Sequence, residues 1–236
     1  MELIITPPID CLHTVEDQPS YLLLMHLMKY EQYWKFFENK KNRYLILDNS
    51  AFECGEPQVD EMEKWIEKLE VDEVVAPDVL YDAKETYLRS KPFLERFKRA
   101  YPHIKVMGVI QGKNMKETRE CIRRFLDLDF DVLAVPKWGA KKFARVPIFA
   151  ESLSRYRVLM ELLEYMDKYK RHVPIHILGV NDPEIEIPAF KTLARSIDTT
   201  WPFKVYKNFS LEKRFPKGLL SLAQSRIEYL KSLLKV

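Results

Sequence analysis

The sequence predicts an α/β fold, and within that class a (β/α)8 TIM-type barrel. Short apolar runs typical of buried parallel strands alternate with helical patterns along the chain. Polar motifs stand where several of those runs end. The length of 236 residues suits one domain over 1–236, since barrels of about 200–250 residues often fold as a single unit. We expect a barrel that admits an irregular last unit, with a doubly wound sheet as the alternative fold.

Seven apolar runs have the length and composition of strands. They cover residues 3–5, 44–47, 73–76, 104–110, 132–135, 173–178 and, more weakly, 195–197. Helical patterns cover residues 20–37, 59–69, 83–100, 115–126, 150–168, 183–194 and 217–234. Parallel strands need such helical crossovers. The last helix carries its apolar residues on one face, so we expect it to pack against the barrel.

Composition predicts a globular protein of the cytoplasm, which for a viral protein is the host cytoplasm. Hydrophobic residues make up 47% of the chain and charged residues 31%. No apolar stretch approaches the ~18 residues of a membrane span, and the N-terminus lacks the basic start of a signal peptide. We therefore expect no membrane partner. Cys11, Cys54 and Cys121 are odd in number and widely spaced, which predicts reduced thiols and no disulfide framework.

Three carboxylates and an amide stand out in four polar motifs that follow apolar runs. The motifs are Asp48-Asn-Ser-Ala-Phe52-Glu53, Ala76-Pro-Asp78, Val109-Ile-Gln111-Gly112 and Ser196-Ile-Asp198-Thr-Thr. Residues just past the carboxyl ends of barrel strands point into the barrel mouth, so we expect one site. Structural roles are the alternative: Asp78 and Gln111 can serve turns, and Phe52 can be barrel core. The five histidines lack ligand-like spacing, and His176 is interpreted as a core residue.

In this order the motifs resemble those of the tRNA-guanine transglycosylase superfamily, whose barrel enzymes exchange a guanine in nucleic acid for a 7-deazaguanine base. The resemblance runs from Tyr44 to Phe203. The first motif is similar to the family's Asp-Ser-Gly-Gly-Phe-Gln, and the third is similar to its Ile-Gln-Gly. His176-Ile-Leu-Gly179-Val resembles its Leu-Met-Gly-Val, and Asp198 stands where its nucleophilic aspartate is expected.

The resemblance implies a role for each of these residues. Breaking an N-glycosidic bond builds oxocarbenium character at the sugar carbon, which a carboxylate can capture covalently. Asp198 is the expected nucleophile, and Asp48 the acid and then base that moves the proton of the exchanged bases. Binding of the base is expected from Asp78 and Gln111 as readers of the guanine edge, Phe52 as a stacking ring, and Gly112 and Gly179. No cofactor is expected.

The chain also departs from the family. The tRNA enzymes carry a Cys-x-Cys-x-x-Cys zinc site downstream of the nucleophile, whereas no cysteine follows Cys121, so we expect no structural zinc. That subdomain supports dimerisation and tRNA docking in the family, which leaves the oligomeric state open. Glu53 replaces the glutamine of the first motif, and Pro136-Lys137-Trp138 replaces a glycine pair whose amides proline cannot supply. Base selection is therefore expected to differ.

The charge distribution favours a polyanionic partner. From Thr199 onward eight Lys/Arg and two Glu give a local charge of +6, which leaves −3 for the rest of a chain of net charge +3. Aromatic residues interleave with these cations, as they do on surfaces that stack bases. The expected nucleic-acid contacts are Lys204, Lys207, Lys213 and Arg214 in this tail, and Lys137, Trp138, Lys141, Lys142 and Arg145 in a second basic loop. An ordinary solvated face is the alternative.

Without zinc, this compact chain resembles the phage and viral DNA transglycosylases. The sequence therefore predicts an enzyme that exchanges guanine in DNA for a free 7-deazaguanine base such as preQ0. Three alternatives stay open: a tRNA-guanine transglycosylase, a hydrolase that releases the base from its N-glycoside, and an inactive barrel that only binds nucleic acid.

Overall fold

The computed structural model describes residues 1–38, 43–137 and 149–235. Its eight parallel strands form a nearly closed (β/α)8 barrel, as the sequence predicts. The strands are β1 Glu2–Ile5, β2 Ser20–Leu24, β3 Tyr44–Asp48, β4 Glu73–Val75, β5 Lys105–Val109, β6 Val132–Val135, β7 Ile175–Ile177 and β8 Ser196–Thr199. Each strand pairs with its neighbour in sequence from β2 to β8, and β8 pairs with β1, so the doubly wound alternative is wrong.

Helices cover the outside of the barrel. They are α1 Glu31–Glu38, α2 Ala51–Cys54, α3 Met62–Leu69, α4 Ala83–Ala100, α5 Met115–Leu126, α6 Phe149–Tyr169, α7 Pro183–Phe190 and α8 Leu220–Lys235. The expected packing of the last helix is confirmed, because Ala223, Ile227 and Leu230 of α8 are buried. None of the described helices is both long enough and apolar enough to cross a membrane.

The prediction of one helix over residues 20–37 is wrong. The segment divides into strand β2, a 3-10 turn over Met25–Leu27, and helix α1. Every residue of β2 is buried, so its side chains show none of the alternation that distinguishes a half-buried strand. Seven strands are predicted from the sequence, and β2 brings the number in the barrel to eight.

The barrel closes between β1 and β2 through a side chain. Ile5 N–H donates to Gln18 Oε1 at 2.6 Å, and Gln18 Nε2 donates back to Ile5 O at 3.0 Å. The buried Gln18 amide thus offers β1 the donor and acceptor that a neighbouring strand would offer. Because all the strands are parallel, their carboxyl ends lie at one mouth of the barrel.

Candidate active site

A pocket opens at the carboxyl ends of the strands, and its open volume is about 770 Å³. Its wall contains six of the seven residues expected to act on the bases, namely Asp48, Phe52, Asp78, Gln111, Gly179 and Asp198. Lys137 and Lys204, two of the expected nucleic-acid contacts, also line it. The polar motifs at the strand ends therefore converge on one site, as the sequence predicts.

Asp78 is held by an amide on each of its two oxygens. Asn49 Nδ2 donates to Oδ1 at 2.9 Å, and Gln111 Nε2 donates to Oδ2 at 2.7 Å. Gln111 is itself fixed, because its Oε1 accepts from Tyr81 N–H at 3.1 Å. Burial raises the pKa of Asp78, while the two amide donors oppose that rise because they favour the carboxylate. We call Asp78, Asn49 and Gln111 the amide clamp.

Asn49 contacts Asp78 in the pocket and is not among the residues predicted from the sequence. Its side chain also donates to Ala76 O at 2.8 Å and accepts from Ala51 N–H at 2.8 Å. One buried amide thus ties the end of β3 to the end of β4 and to the first turn of α2. Its position directly after Asp48 at a strand end was the available signal.

Within the described residues, Asp198 has hydrogen-bond partners on one oxygen only. Its Oδ1 accepts from Gly179 N–H at 2.8 Å and lies 3.2 Å from His176 Nε2. Its Oδ2 accepts no hydrogen bond from the described part of the chain, although the residue lines the pocket. Gly179 has φ +66°, a conformation that glycine adopts readily, and this turn aims its N–H at the carboxylate.

His176 is buried in β7, yet its interpretation as a core residue alone is incomplete. Its Nε2 contacts Asp198, and its Nδ1 lies 2.8 Å from Ser196 Oγ. Ser196 and Asp198 are two apart in β8, so their side chains point to the same side of the sheet. His176 pairs with Ser196 in the β7–β8 register, which places the imidazole between the two.

Asp48 ends β3 beside a second pocket carboxylate, Glu53 of α2. Ser50 N–H donates to Asp48 Oδ1 at 2.6 Å. Burial raises the pKa of Asp48 well above its usual range, and the charge of Glu53 raises it further, followed by those of Asp78 and Asp198. Desolvation in the pocket and the charges of Asp198 and Asp78 raise the pKa of Glu53 to about 7, although the residue as a whole is exposed. A proton can therefore reside on this pair near neutral pH.

Phe52 lies at the pocket rim and is not barrel core, because it is 53% exposed. The short helix α2 follows Ser50, whose φ of 56° turns the chain back over the mouth. A flat apolar ring is thus offered to the pocket beside the carboxylates.

Gly112 lies outside the pocket wall, unlike the other predicted base-binding residues. A Cβ on Gly112 would stand 2.6 Å from Thr118 N, so the glycine is needed where the loop after β5 meets α5. Its role in the structure is therefore close packing.

The predicted cations of the basic tail lie at the surface, and one of them reaches the pocket. Lys204, Lys207, Lys213 and Arg214 are exposed. Of these only Lys204 lines the pocket, and its Nζ donates to Asn181 Oδ1 at 2.9 Å.

The aromatic residues of the tail include two that are buried. The ring centroids of Phe203 and Phe215 lie 5.5 Å apart in the interior, so these two residues are not part of a surface that stacks bases. Four predicted contacts lie outside the described residues, namely Trp138, Lys141, Lys142 and Arg145.

Within residues 1–38, 43–137 and 149–235, no three His, Cys, Asp or Glu side chains are grouped to hold a metal ion. No protein-family model matches the sequence, and no curated protein matches it. Function must therefore be argued from the pocket.

Proposed function

We propose that the protein exchanges guanine in DNA for a free 7-deazaguanine base through a covalent glycosyl adduct on Asp198. One observation carries the proposal. A single pocket joins Asp198, whose Oδ2 is free of hydrogen bonds to described residues, to Asp78, whose two oxygens are held by amides. The first arrangement suits attack on carbon, and the second suits recognition.

Two carboxylates of the pocket suffice for both half-reactions, one as nucleophile and one as proton carrier. Asp198 Oδ2 attacks the sugar C1′ as the bond from C1′ to guanine N9 breaks, and Asp48 gives its proton to the departing base. The incoming base then loses its N9 proton to Asp48 and attacks C1′, which releases Asp198 as a carboxylate. Asp48 suits this acid-then-base task because its pKa lies well above the usual range.

The amide clamp has the groups that a guanine edge requires. A carboxylate offers about four lone-pair sites, so two remain on Asp78 for the N1–H and the 2-amino group. The second hydrogen on Gln111 Nε2 is suited to the base O6. Phe52 is exposed at the rim, where it can stack on the flat ring.

The sequence favours DNA over tRNA, and the pocket favours a nucleic-acid polymer over a free nucleoside. The cysteines of the tRNA enzymes' zinc site are absent from the sequence. Two cations, Lys137 and Lys204, stand in the pocket wall, where phosphates flanking an extruded nucleotide would pass.

A label-release assay tests the proposal. DNA, tRNA and nucleoside carrying radiolabelled guanine are incubated with the protein, with and without preQ0. We expect release from DNA only, and only when preQ0 is present. Release from tRNA alone would show that the substrate is tRNA and not DNA. Release without added base would indicate a hydrolase. DNA binding without release would indicate an inactive barrel.

A further inference from the structure

A line of polar side chains, buried except for the half-buried Arg195, connects Asp198 to the amino-terminal end of the barrel. Glu73 accepts from Arg195 Nη1 at 2.8 Å and from Arg195 Nη2 at 3.0 Å. Arg195 Nε lies 3.2 Å from Ser196 Oγ, which in turn contacts His176 Nδ1. His176 Nε2 completes the line at Asp198 Oδ1.

The donors in this line can be assigned from chemistry alone. Arginine only donates, so Ser196 Oγ accepts from Arg195 and must place its own hydrogen elsewhere. Its remaining contact among the described residues is His176 Nδ1, at 2.8 Å. Nδ1 is therefore the acceptor, and a neutral imidazole then carries its proton on Nε2, facing Asp198.

The opposite tautomer would make unfavourable contacts at both ring nitrogens. A proton on Nδ1 would compete with the hydroxyl hydrogen of Ser196, which would be left without an acceptor in the described interior. Nε2 would then present a lone pair to Asp198 Oδ1 at 3.2 Å, where two acceptors repel. An unpaired buried polar group and a pair of facing acceptors are both unfavourable, so the two penalties act in the same direction.

The far end of the line is anchored. Glu73 is fully buried, it forms a two-pronged ion pair with Arg195, and it also accepts from Tyr44 Oη at 2.6 Å. Such a two-pronged pair fixes the plane of the guanidinium and so the direction of its Nε–H. Rotation of the Ser196 hydroxyl is restricted in consequence.

We propose that Arg195 and Ser196 hold His176 as its Nε2–H tautomer, and that His176 is thereby a positioning residue for Asp198. The inference rests on the proposed role of Asp198 as nucleophile. His176 and Gly179 both donate to Oδ1, which leaves Oδ2 directed to the sugar carbon. In the adduct Oδ1 is the ester carbonyl, and when the C1′–Oδ2 bond breaks, the same two donors stabilise the departing carboxylate.

Paired variants of His176 test whether its Nε2–H contributes to the rate of base exchange. His176→Leu removes the donor, and we expect kcat for base exchange to fall about 10²-fold with KM changed less than about twofold. His176→Gln can place an amide N–H near the Nε2 position, so it should recover much of the loss. The exposed His172→Leu is the matched control. If His176→Leu does not fold, His176→Asn, whose amide is too short to reach Asp198, takes its place.

A second measurement is independent of catalysis. We expect the ¹⁵N NMR shifts of His176 in the wild-type protein to show an unprotonated Nδ1 and a protonated Nε2, and Ser196→Ala to mix the tautomers. An Nδ1–H tautomer in the wild type, or a folded donor-free variant with unchanged kcat, would overturn the inference. If the wild type exchanges no base while the Nε2–H tautomer is found, the proposed function fails and the tautomer assignment stands.

Discussion

Asp198 and Asp78 line one pocket but are held in different ways. Asp78 has an amide donor on each oxygen, whereas Asp198 has two hydrogen-bond partners on Oδ1 and none among the described residues on Oδ2. A carboxylate fixed on both sides is a rigid acceptor, suited to reading a hydrogen-bond pattern. One with a free oxygen keeps a lone pair for bond formation. Hydrogen-bond partners thus distinguish two identical side chains for which we propose different roles.

The supports of the two carboxylates also differ in depth. The amide clamp is built from loop residues just past β3, β4 and β5. Asp198 stands at the end of a line of side chains that crosses the barrel interior between β7 and β8. We expect the proposed nucleophile to be the less tolerant of change, because its support extends from the pocket through the barrel interior.

The largest effect is expected when the nucleophile is removed. Asp198→Asn should lower base exchange by about 10⁴-fold or more, since an amide does not form the glycosyl adduct. The fold should survive, because the Asn oxygen can still accept from Gly179 N–H. Exchange assays and circular dichroism check this, with the exposed Asp129→Asn as control. Retained exchange would show that the two carboxylates do not differ as described.

Asp48→Asn should lower the activity but raise the stability of the protein. Loss of the proton donor should slow exchange by about 10²–10⁴-fold. Because its pKa is raised in the folded state, Asp48 binds a proton more tightly there than in the unfolded chain, so its contribution to stability falls as pH rises. The variant should therefore be more stable than the wild type by about 0.5–2 kcal/mol at pH 8.

Thermal unfolding of both proteins from pH 4 to pH 8 measures the difference. The stability gain of Asp48→Asn should grow as pH rises above the ordinary pKa of an aspartate, because Asp48 then ionises in the unfolded wild type while the folded protein still holds the proton. A gain that is independent of pH would contradict the raised pKa.

Asp78→Asn should damage selection of the base more than bond breaking. An amide cannot accept on both sides, so the preference for guanine over hypoxanthine, which lacks the 2-amino group, should shrink by about 10²-fold. The comparison uses kcat/KM for DNA carrying either base. An unchanged ratio, or a loss as complete as that of Asp198→Asn, would assign Asp78 a different role.

The smallest effect is expected at the rim. Lys204→Ala should weaken DNA binding severalfold and reduce the slope of log Kd against log salt by about 1, as expected for one lost phosphate contact. Lys116→Ala on the outer helix α5 makes the same charge change away from the pocket. Fluorescence anisotropy across a salt series checks both, and equal slopes for the two variants would exclude a phosphate contact at Lys204.

The sequence predicts most of the barrel because alternating apolar runs and helical patterns are local signals. Strand β2 is the exception, since a short run that is buried on both faces cannot be told from a buried helix by its period. Six of the seven residues expected to act on the bases line one pocket, because parallel strands end at one mouth.

The contacts that define the two carboxylates could not be predicted from sequence. His176 reaches Asp198 across 22 positions, and Asn49 reaches Asp78 across 29. Both pairs depend on strand register and loop geometry, which no local pattern encodes. Phe203 and Phe215 show the same limit, since their burial depends on how the tail folds back on itself.

The central claim is that the free oxygen of Asp198 bonds to the sugar. The most direct test mixes the protein with a guanine-containing DNA oligonucleotide, withholds the incoming base, quenches with acid, and measures the intact mass and the modified peptide. We expect a mass increase equal to the oligonucleotide less guanine, located on Asp198 and absent from Asp198→Asn. Base exchange without any such adduct, or an adduct on another residue, would contradict the account.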